Sequence, residues 1–250
     1  MEDRIKIANL PTRIIRLDRF SKEVGKNVYI KRDDETGIEI SGNKIRKLEF
    51  SVKEALENNC DYLITCGGIQ SNHARATAAV AAKLGLGSYL VLRGHEGEEL
   101  EGNLFLDKLL GAKIRFVTKD EYRYKRLEIM KEIKKSLEEK GHKGYIIPEG
   151  ASNGVGSLGY VKTMKEILDQ EKNMGIKFDA IVVTVGSGGT YAGLYYGNRI
   201  NGNLATIYGF NICDTREHFQ EVVLNLLDEI SIYTGKKIDV TKDKIDIIDG

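Results

Sequence analysis

VVTVGSGGTYAGL (residues 182–194) runs from four β-favouring residues through a glycine-rich turn into a helical pattern. Val182, Val183, Thr184 and Val185 have the composition of a strand buried on both faces. Gly186, Ser187, Gly188, Gly189 and Thr190 follow. Glycines let the backbone approach a ligand closely, and the free N–H groups at a helix start form an anion nest. Thr190 adds a hydroxyl donor. Phosphate suits this arrangement, and three glycines in four positions exceed what a bare turn needs. The stretch is not a Walker A loop, because no Lys-Ser/Thr follows at the required spacing.

Around this stretch, short apolar runs alternate with longer helical patterns. VYIKRDDE (28–35), DYLITCGG (61–68), SYLVLRG (88–94), KIRFV (113–117) and ATIYGFNI (205–212) read as strands. Helical stripes cover 45–59, 71–85, 103–111, about 120–140 and 217–235. Ser71 or Asn72 caps the second of these and Gly85 stops it. The alternation predicts an α/β fold with open parallel sheets covered on both faces.

Composition narrows the function. With 38 Lys+Arg against 37 Asp+Glu the net charge is +1, which gives no electrostatic reason for a nucleic-acid or anionic-membrane partner. No apolar run approaches the roughly 20 residues of a membrane span, and MEDRIKIANL has no signal-peptide core. Cys60, Cys66 and Cys213 are too scattered for a disulfide scaffold or a zinc site, so no metal is expected.

Three further motifs carry candidate chemistry. In CGGIQSNHAR (66–75) a strand feeds two glycines and then Gln70, Ser71, Asn72 and His73 at a helix start, where N–H groups and polar side chains suit a substrate carboxylate. His73 reads equally as a ligand-facing or a structural histidine. In SGNKIRKLEF (41–50), Lys44 and Lys47 fall one turn apart on one helix face. The helix dipole and a neighbouring cation both disfavour the charge on Lys44, giving the free amine that Schiff-base chemistry needs; a solvated basic face is the other reading. Gly154, Gly156 and Gly159 match GxGxxG, but no strand immediately precedes them and Asp179 opens the next strand instead of ending it, which argues against NAD.

Taken together and in order, SGNKIRKLEF, GGIQSNHARATAAVAAKLG, EGNLFLDKLLGA, IPEGASNGVGSLGYV and VGSGGTYAGL closely resemble the D-cysteine desulfhydrase/1-aminocyclopropane-1-carboxylate deaminase family. LPTRIIRLDRFSKEVG and YIKRDDE also fit, so the resemblance spans essentially the whole chain. It implies a pyridoxal 5'-phosphate enzyme of the tryptophan-synthase-β-like type (fold type II), a lyase or a deaminase with a hydrolase's products. A small amino acid is the implied substrate. Lys44 is implied as the Schiff-base lysine and Lys47 as the phosphate-reaching one. Gly186, Ser187, Gly188, Gly189 and Thr190 are implied to hold the phosphate, and Asn72 to approach the ring hydroxyl. Ser71 is implied beside the substrate carboxylate and reacting carbons, with Gln70 and His73 in the same wall.

The resemblance further implies two parallel-sheet domains with the cofactor cleft between them. The larger takes 1–50 and 158–250, and the smaller takes 51–157. A cytoplasmic homodimer is expected. Relatives continue beyond the point matching Gly250 and carry there an active-site tyrosine and the partner of the pyridine nitrogen. The C-terminal part is therefore expected to be missing from these 250 residues, leaving them nearly inactive and aggregation-prone alone. Another PLP-dependent β-elimination or β-replacement enzyme, or a truncated relative that binds without turnover, are the competing readings.

Overall fold

The computed structural model describes residues 4–37, 42–203 and 205–250. The chain opens with a short antiparallel hairpin, β1 (Ile14–Arg16) and β2 (Tyr29–Lys31), joined through α1 (Asp18–Val24). Then come α2 (Lys44–Glu57), β3 (Tyr62–Gly68), α3 (Asn72–Leu84), β4 (Gly87–Arg93), α4 (Gly102–Leu109), β5 (Lys113–Val117), α5 (Lys119–Glu138) and β6 (Gly144–Ile146). The rest is α6 (Gly154–Met174), β7 (Ala180–Val185), α7 (Gly189–Ile200), β8 (Thr206–Asn211), α8 (Arg216–Thr234) and β9 (Ile247–Asp249).

Two parallel sheets organise these elements: one ordered β5-β4-β3-β6, the other β7-β8-β9. The first is covered on both faces, as continuous apolar strands require. Leu90 and Leu92 pack with Ala74, Ala78 and Leu104 of α3 and α4. Ile64, Cys66 and Val91 pack with Ile129, Met130 and Ile133 of α5. The second sheet departs from expectation. Val185, Ile207 and Ile247 pack into the core with α6, α7 and α8, while Val182, Phe210 and Ile248 on these strands stay exposed.

The strand expected over 28–35 is also shorter than its composition predicts. Only Tyr29–Lys31 pairs, and Asp33–Glu35 turns into a short 3-10 segment. That turn lets Asp33 accept from the Arg46 guanidinium at 2.8 Å and from the Tyr160 hydroxyl at 2.6 Å. Arg46 also donates to Glu166 at 3.0 Å. This buried cluster anchors the hairpin and α6 to α2.

Helix packing explains the GxGxxG motif. These glycines lie in the first turns of α6 and do not form a nucleotide-binding loop. A Cβ on Gly159 would come within 2.2 Å of the Arg46 carbonyl and 2.9 Å of the Lys47 nitrogen. A Cβ on Gly193 of α7 would meet the Ser157 carbonyl at 2.4 Å. Bare backbone therefore lets α2, α6 and α7 stack closely, and this stack delivers the lysines of α2 to the start of α7.

Candidate active site

A cleft of about 1330 Å³ runs between the start of α2, the start of α3 and the β7–α7 turn, and continues between the β1–β2 hairpin and β7. Lys44, Ser71, Asn72, His73, Gly186, Ser187, Gly188 and Thr190 line it, together with Asn43, Glu149 and Gly150. Lys47 and Gly189 stand behind this wall. Gln70 does not line the cleft: its carboxamide accepts from the Asn103 N–H at 2.8 Å and donates to the Glu101 carbonyl at 3.3 Å, tying down the start of α4. The expected substrate role of Gln70 therefore has no support in this geometry.

Lys44 is the first residue of α2. Its Nζ donates to Asn43 Oδ1 at 3.1 Å. Burial lowers its pKa, and the Glu149 carboxylate works against that shift. The lowered value is expected from the helix dipole and a neighbouring cation, but burial is the leading cause here. The neighbour acts in the other direction: burial first and Lys44 second push Lys47 well below the lysine range.

Lys47 is 1% exposed, and its amine is held by the Gly150 carbonyl at 2.8 Å and Ser152 Oγ at 3.0 Å. Ser152 is a hub that sequence reasoning missed. Its Oγ lies 2.8 Å from Ser187 Oγ and accepts the Gly189 N–H at 3.2 Å. Asn43 Nδ2 donates to Thr190 Oγ1 at 3.2 Å. Lys47, Ser152 and the 186–190 turn thus form one constellation of donors.

A Cβ on Gly189 would sit 2.6 Å from Lys47 Nζ and 2.8 Å from Ser152 Oγ. The cradle therefore requires glycine at this position. Gly188 serves the fold: with φ at 82°, its Cβ would strike Val222 of α8 at 2.9 Å. A buried amine, hydroxyls and a glycine-lined helix start suit a phosphate monoester, and an amine one helical turn away opens to the same cleft. These residues fit pyridoxal phosphate.

Ser71 caps α3, its Oγ accepting from the Ala74 N–H at 3.2 Å. His73 is buried, and its Nε2 lies 2.8 Å from Thr65 Oγ1. The Thr65 hydroxyl proton goes to the Ile147 carbonyl at 2.8 Å, so Nε2 carries the ring proton in this pair. Burial, then Lys44 and Lys47, hold His73 neutral, well below its usual pKa. Both the structural and the ligand-facing readings of His73 thus describe part of its setting.

The family model for pyridoxal-phosphate dependent enzymes matches residues 5–242. A mitochondrial bifunctional D-cysteine desulfhydrase/1-aminocyclopropane-1-carboxylate deaminase of Arabidopsis thaliana is 43% identical over 230 residues, covering 89% of this chain and 57% of that protein. A 1-aminocyclopropane-1-carboxylate deaminase of Bradyrhizobium diazoefficiens is 38% identical over 245 residues, covering 93% of this chain and 70% of its own. The crystal structure of an ACC deaminase homologue superposes with a TM-score of 0.89 at 40% identity, covering 98% of this chain and 73% of that one. The α/β architecture, with its two parallel sheets, is that of PLP fold type II. The cradle and the buried lysines agree with these likenesses, and the chain belongs to the pyridoxal-phosphate-dependent enzymes, in the family of 1-aminocyclopropane-1-carboxylate deaminases and D-cysteine desulfhydrases.

Proposed function

We propose that the chain is a PLP-dependent deaminase or desulfhydrase. It converts 1-aminocyclopropane-1-carboxylate to 2-oxobutanoate and ammonia, or D-cysteine to pyruvate, sulfide and ammonia. The observation that carries this reading is the pair of lysines on one turn of α2: Lys47 reaches Ser152 beside the glycine turn, and Lys44 opens to the cleft. When bound, the cofactor supplies an electron sink for bonds broken at the substrate's α-carbon.

The rest falls to the chain. Lys44, with its depressed pKa, is available as the free amine that holds the cofactor's aldehyde carbon. Lys47, Gly186, Ser187, Gly188, Gly189 and Thr190 hold the phosphate, with Ser152 fixing both Lys47 and the turn. Asn72 offers an amide to the ring hydroxyl. Ser71 stands where the substrate carboxylate meets the start of α3. His73 lines the same wall as a neutral ring and contributes shape and hydrogen bonding without charge.

The domain division at 1–50 with 158–250 and at 51–157 belongs to this reading. It is supported by the first sheet falling within residues 62–146 and the second within 180–249. A homodimer is part of it too, and sedimentation of the PLP-loaded chain checks that part.

The deciding experiment loads the chain with PLP, reduces it with borohydride and maps the labelled peptide. It then offers each amino acid and identifies the keto acid released. Label at Lys44 with 2-oxobutanoate or pyruvate formed is expected. Label elsewhere overturns the proposal, and the keto acid released decides between the two substrates.

A further inference from the structure

We infer that Asn103, on α4 and outside the cleft wall, is a positioning residue that sets which end of the Asn72 carboxamide faces the cleft. The inference rests on the proposed reading in which Asn72 meets the cofactor ring oxygen.

The two ends of a carboxamide are alike in shape and opposite in chemistry, so orientation decides whether the group donates or accepts. Here backbone groups settle it. The Asn103 N–H donates at 2.8 Å to the Gln70 side chain, so that atom is the oxygen, Oε1. Gln70 Nε2 accordingly faces the Glu101 carbonyl, at 3.3 Å. The Asn103 side chain meets the Gln70 carbonyl at 2.9 Å, and a carbonyl only accepts, so the atom there is Nδ2. Nδ2 has a second proton, and it points at Asn72 at 2.9 Å. Asn72 must present Oδ1 to it. The Asn72 NH2 is then the end left for the cleft that Asn72 lines.

The clip is built for this purpose. Gly102 takes φ of 51°, and a Cβ there would fall 2.5 Å from Gln70 Oε1. Gln70, which reads from the sequence as a substrate ligand, instead braces the residue that braces Asn72. A donor aimed into the cleft suits an oxygen that carries negative charge, and it disfavours protonation of that oxygen.

The test titrates pyridoxal 5'-phosphate into four proteins: Asn72→Ala, Asn103→Ala, Asn103→Asp and the Asn72→Ala/Asn103→Asp double variant. It reads the dissociation constant and the pH midpoint of the bound cofactor's absorbance. Melting of each cofactor-free variant is measured alongside. Asp at position 103 offers acceptors only, so Asn72 turns its NH2 outward and its oxygen toward the cofactor. Asn103→Asp is expected to weaken binding about tenfold or more and to raise the pH midpoint, at least matching Asn72→Ala. Asn103→Ala should weaken binding less, because it leaves Asn72 free to choose. Adding Asn103→Asp to Asn72→Ala should change little. A purely structural clip predicts no such order, with Ala as damaging as Asp in melting and in binding. Wild-type binding by Asn72→Ala would overturn the placement of Asn72 and this inference with it. A weakened Asn72→Ala beside a wild-type Asn103→Asp, or an Asn103→Asp effect of the same size in both backgrounds, overturns the orientation role alone.

Discussion

Gly189→Ala isolates the phosphate cradle with one methyl group. The added Cβ would stand 2.6 Å from Lys47 Nζ, 2.8 Å from Ser152 Oγ and 3.0 Å from Ser152 Cα. The last is backbone and cannot swing aside. Lys47 is fully enclosed, so moving its amine breaks at least one of its bonds to Gly150 and Ser152. Leaving a buried polar group short of a partner costs about 1–3 kcal/mol, and the overpacking adds a similar amount, so a stability loss of about 2–6 kcal/mol is expected. Cofactor affinity should fall further, because the methyl occupies the side of the turn that Lys47 and Ser152 share. Gly186→Ala is the control for the stability measurement alone: its Cβ would meet only Ile212, at an ordinary 3.5 Å, and the fold should accept it. Denaturant melts of the cofactor-free variants give the stability cost, and PLP titration by absorbance gives the affinity. Wild-type PLP affinity in Gly189→Ala would refute the cradle, since the crowding would then lie away from the phosphate.

The pH dependence of anion binding tests Lys47. Its amine is pushed well below the lysine range, and an arriving phosphate dianion draws that value back up; affinity should fall as pH rises above the depressed value, and Lys47→Met should flatten the dependence in PLP titrations across pH. Ser71→Ala should cost about 0.5–2 kcal/mol of stability through the lost cap on Ala74, and should slow turnover while PLP occupancy by absorbance stays near wild type. Asp107 is fully buried with neither carboxylate oxygen hydrogen-bonded, and burial pushes its pKa up to about 7 against the pull of Arg75. Its folded pKa lies above the unfolded one, so its favourable contribution is complete below about 4 and is lost as pH rises through about 7. Asp107→Asn should therefore gain stability at pH 8, by at most about 4 kcal/mol, and gain little near pH 4 in denaturant melts.

Most long helices and the core strands were legible because their signals are local. The stripe over 45–59, the strand over 61–68 and the glycine stop at Gly85 each depend on a few neighbours in sequence, and they appear within a residue or two of those positions. The glycine turn and the two lysines were legible for the same reason. What stayed hidden depends on contacts far apart in the chain. Ser152 is one serine in IPEGASNG, and its importance arises only when Lys47 and Ser187 reach it. Gln70 stands in the same run as the cleft residues Ser71 and Asn72, yet it serves α4. The β1–α1–β2 unit is too short for periodicity to reveal, and the strand over 28–35 was shortened by bonds to Arg46 and Tyr160.

The first turn of α2 buries Arg46 and Lys47 and half-buries Lys44 beside them, which is costly unless each charge is answered. Arg46 follows Lys44 by two positions, so it points about 200° around the helix from it. There it finds Asp33 and Glu166, which raise its pKa and keep it charged. Lys47 finds a carbonyl and a hydroxyl, neutral partners that suit an amine awaiting an anion. Lys44 has its bond to the Asn43 side chain and the field of Glu149. The three cations are thus graded by how fully the fold compensates them. Arg46 locks the rotation of the helix through its ion cluster, and that rotation turns both lysines toward the glycine loop. Lys47, with no opposite charge beside it, is the least compensated of the three, and Lys44, partly answered by Glu149, faces the cleft, where a lowered amine pKa serves bond formation with a carbonyl carbon.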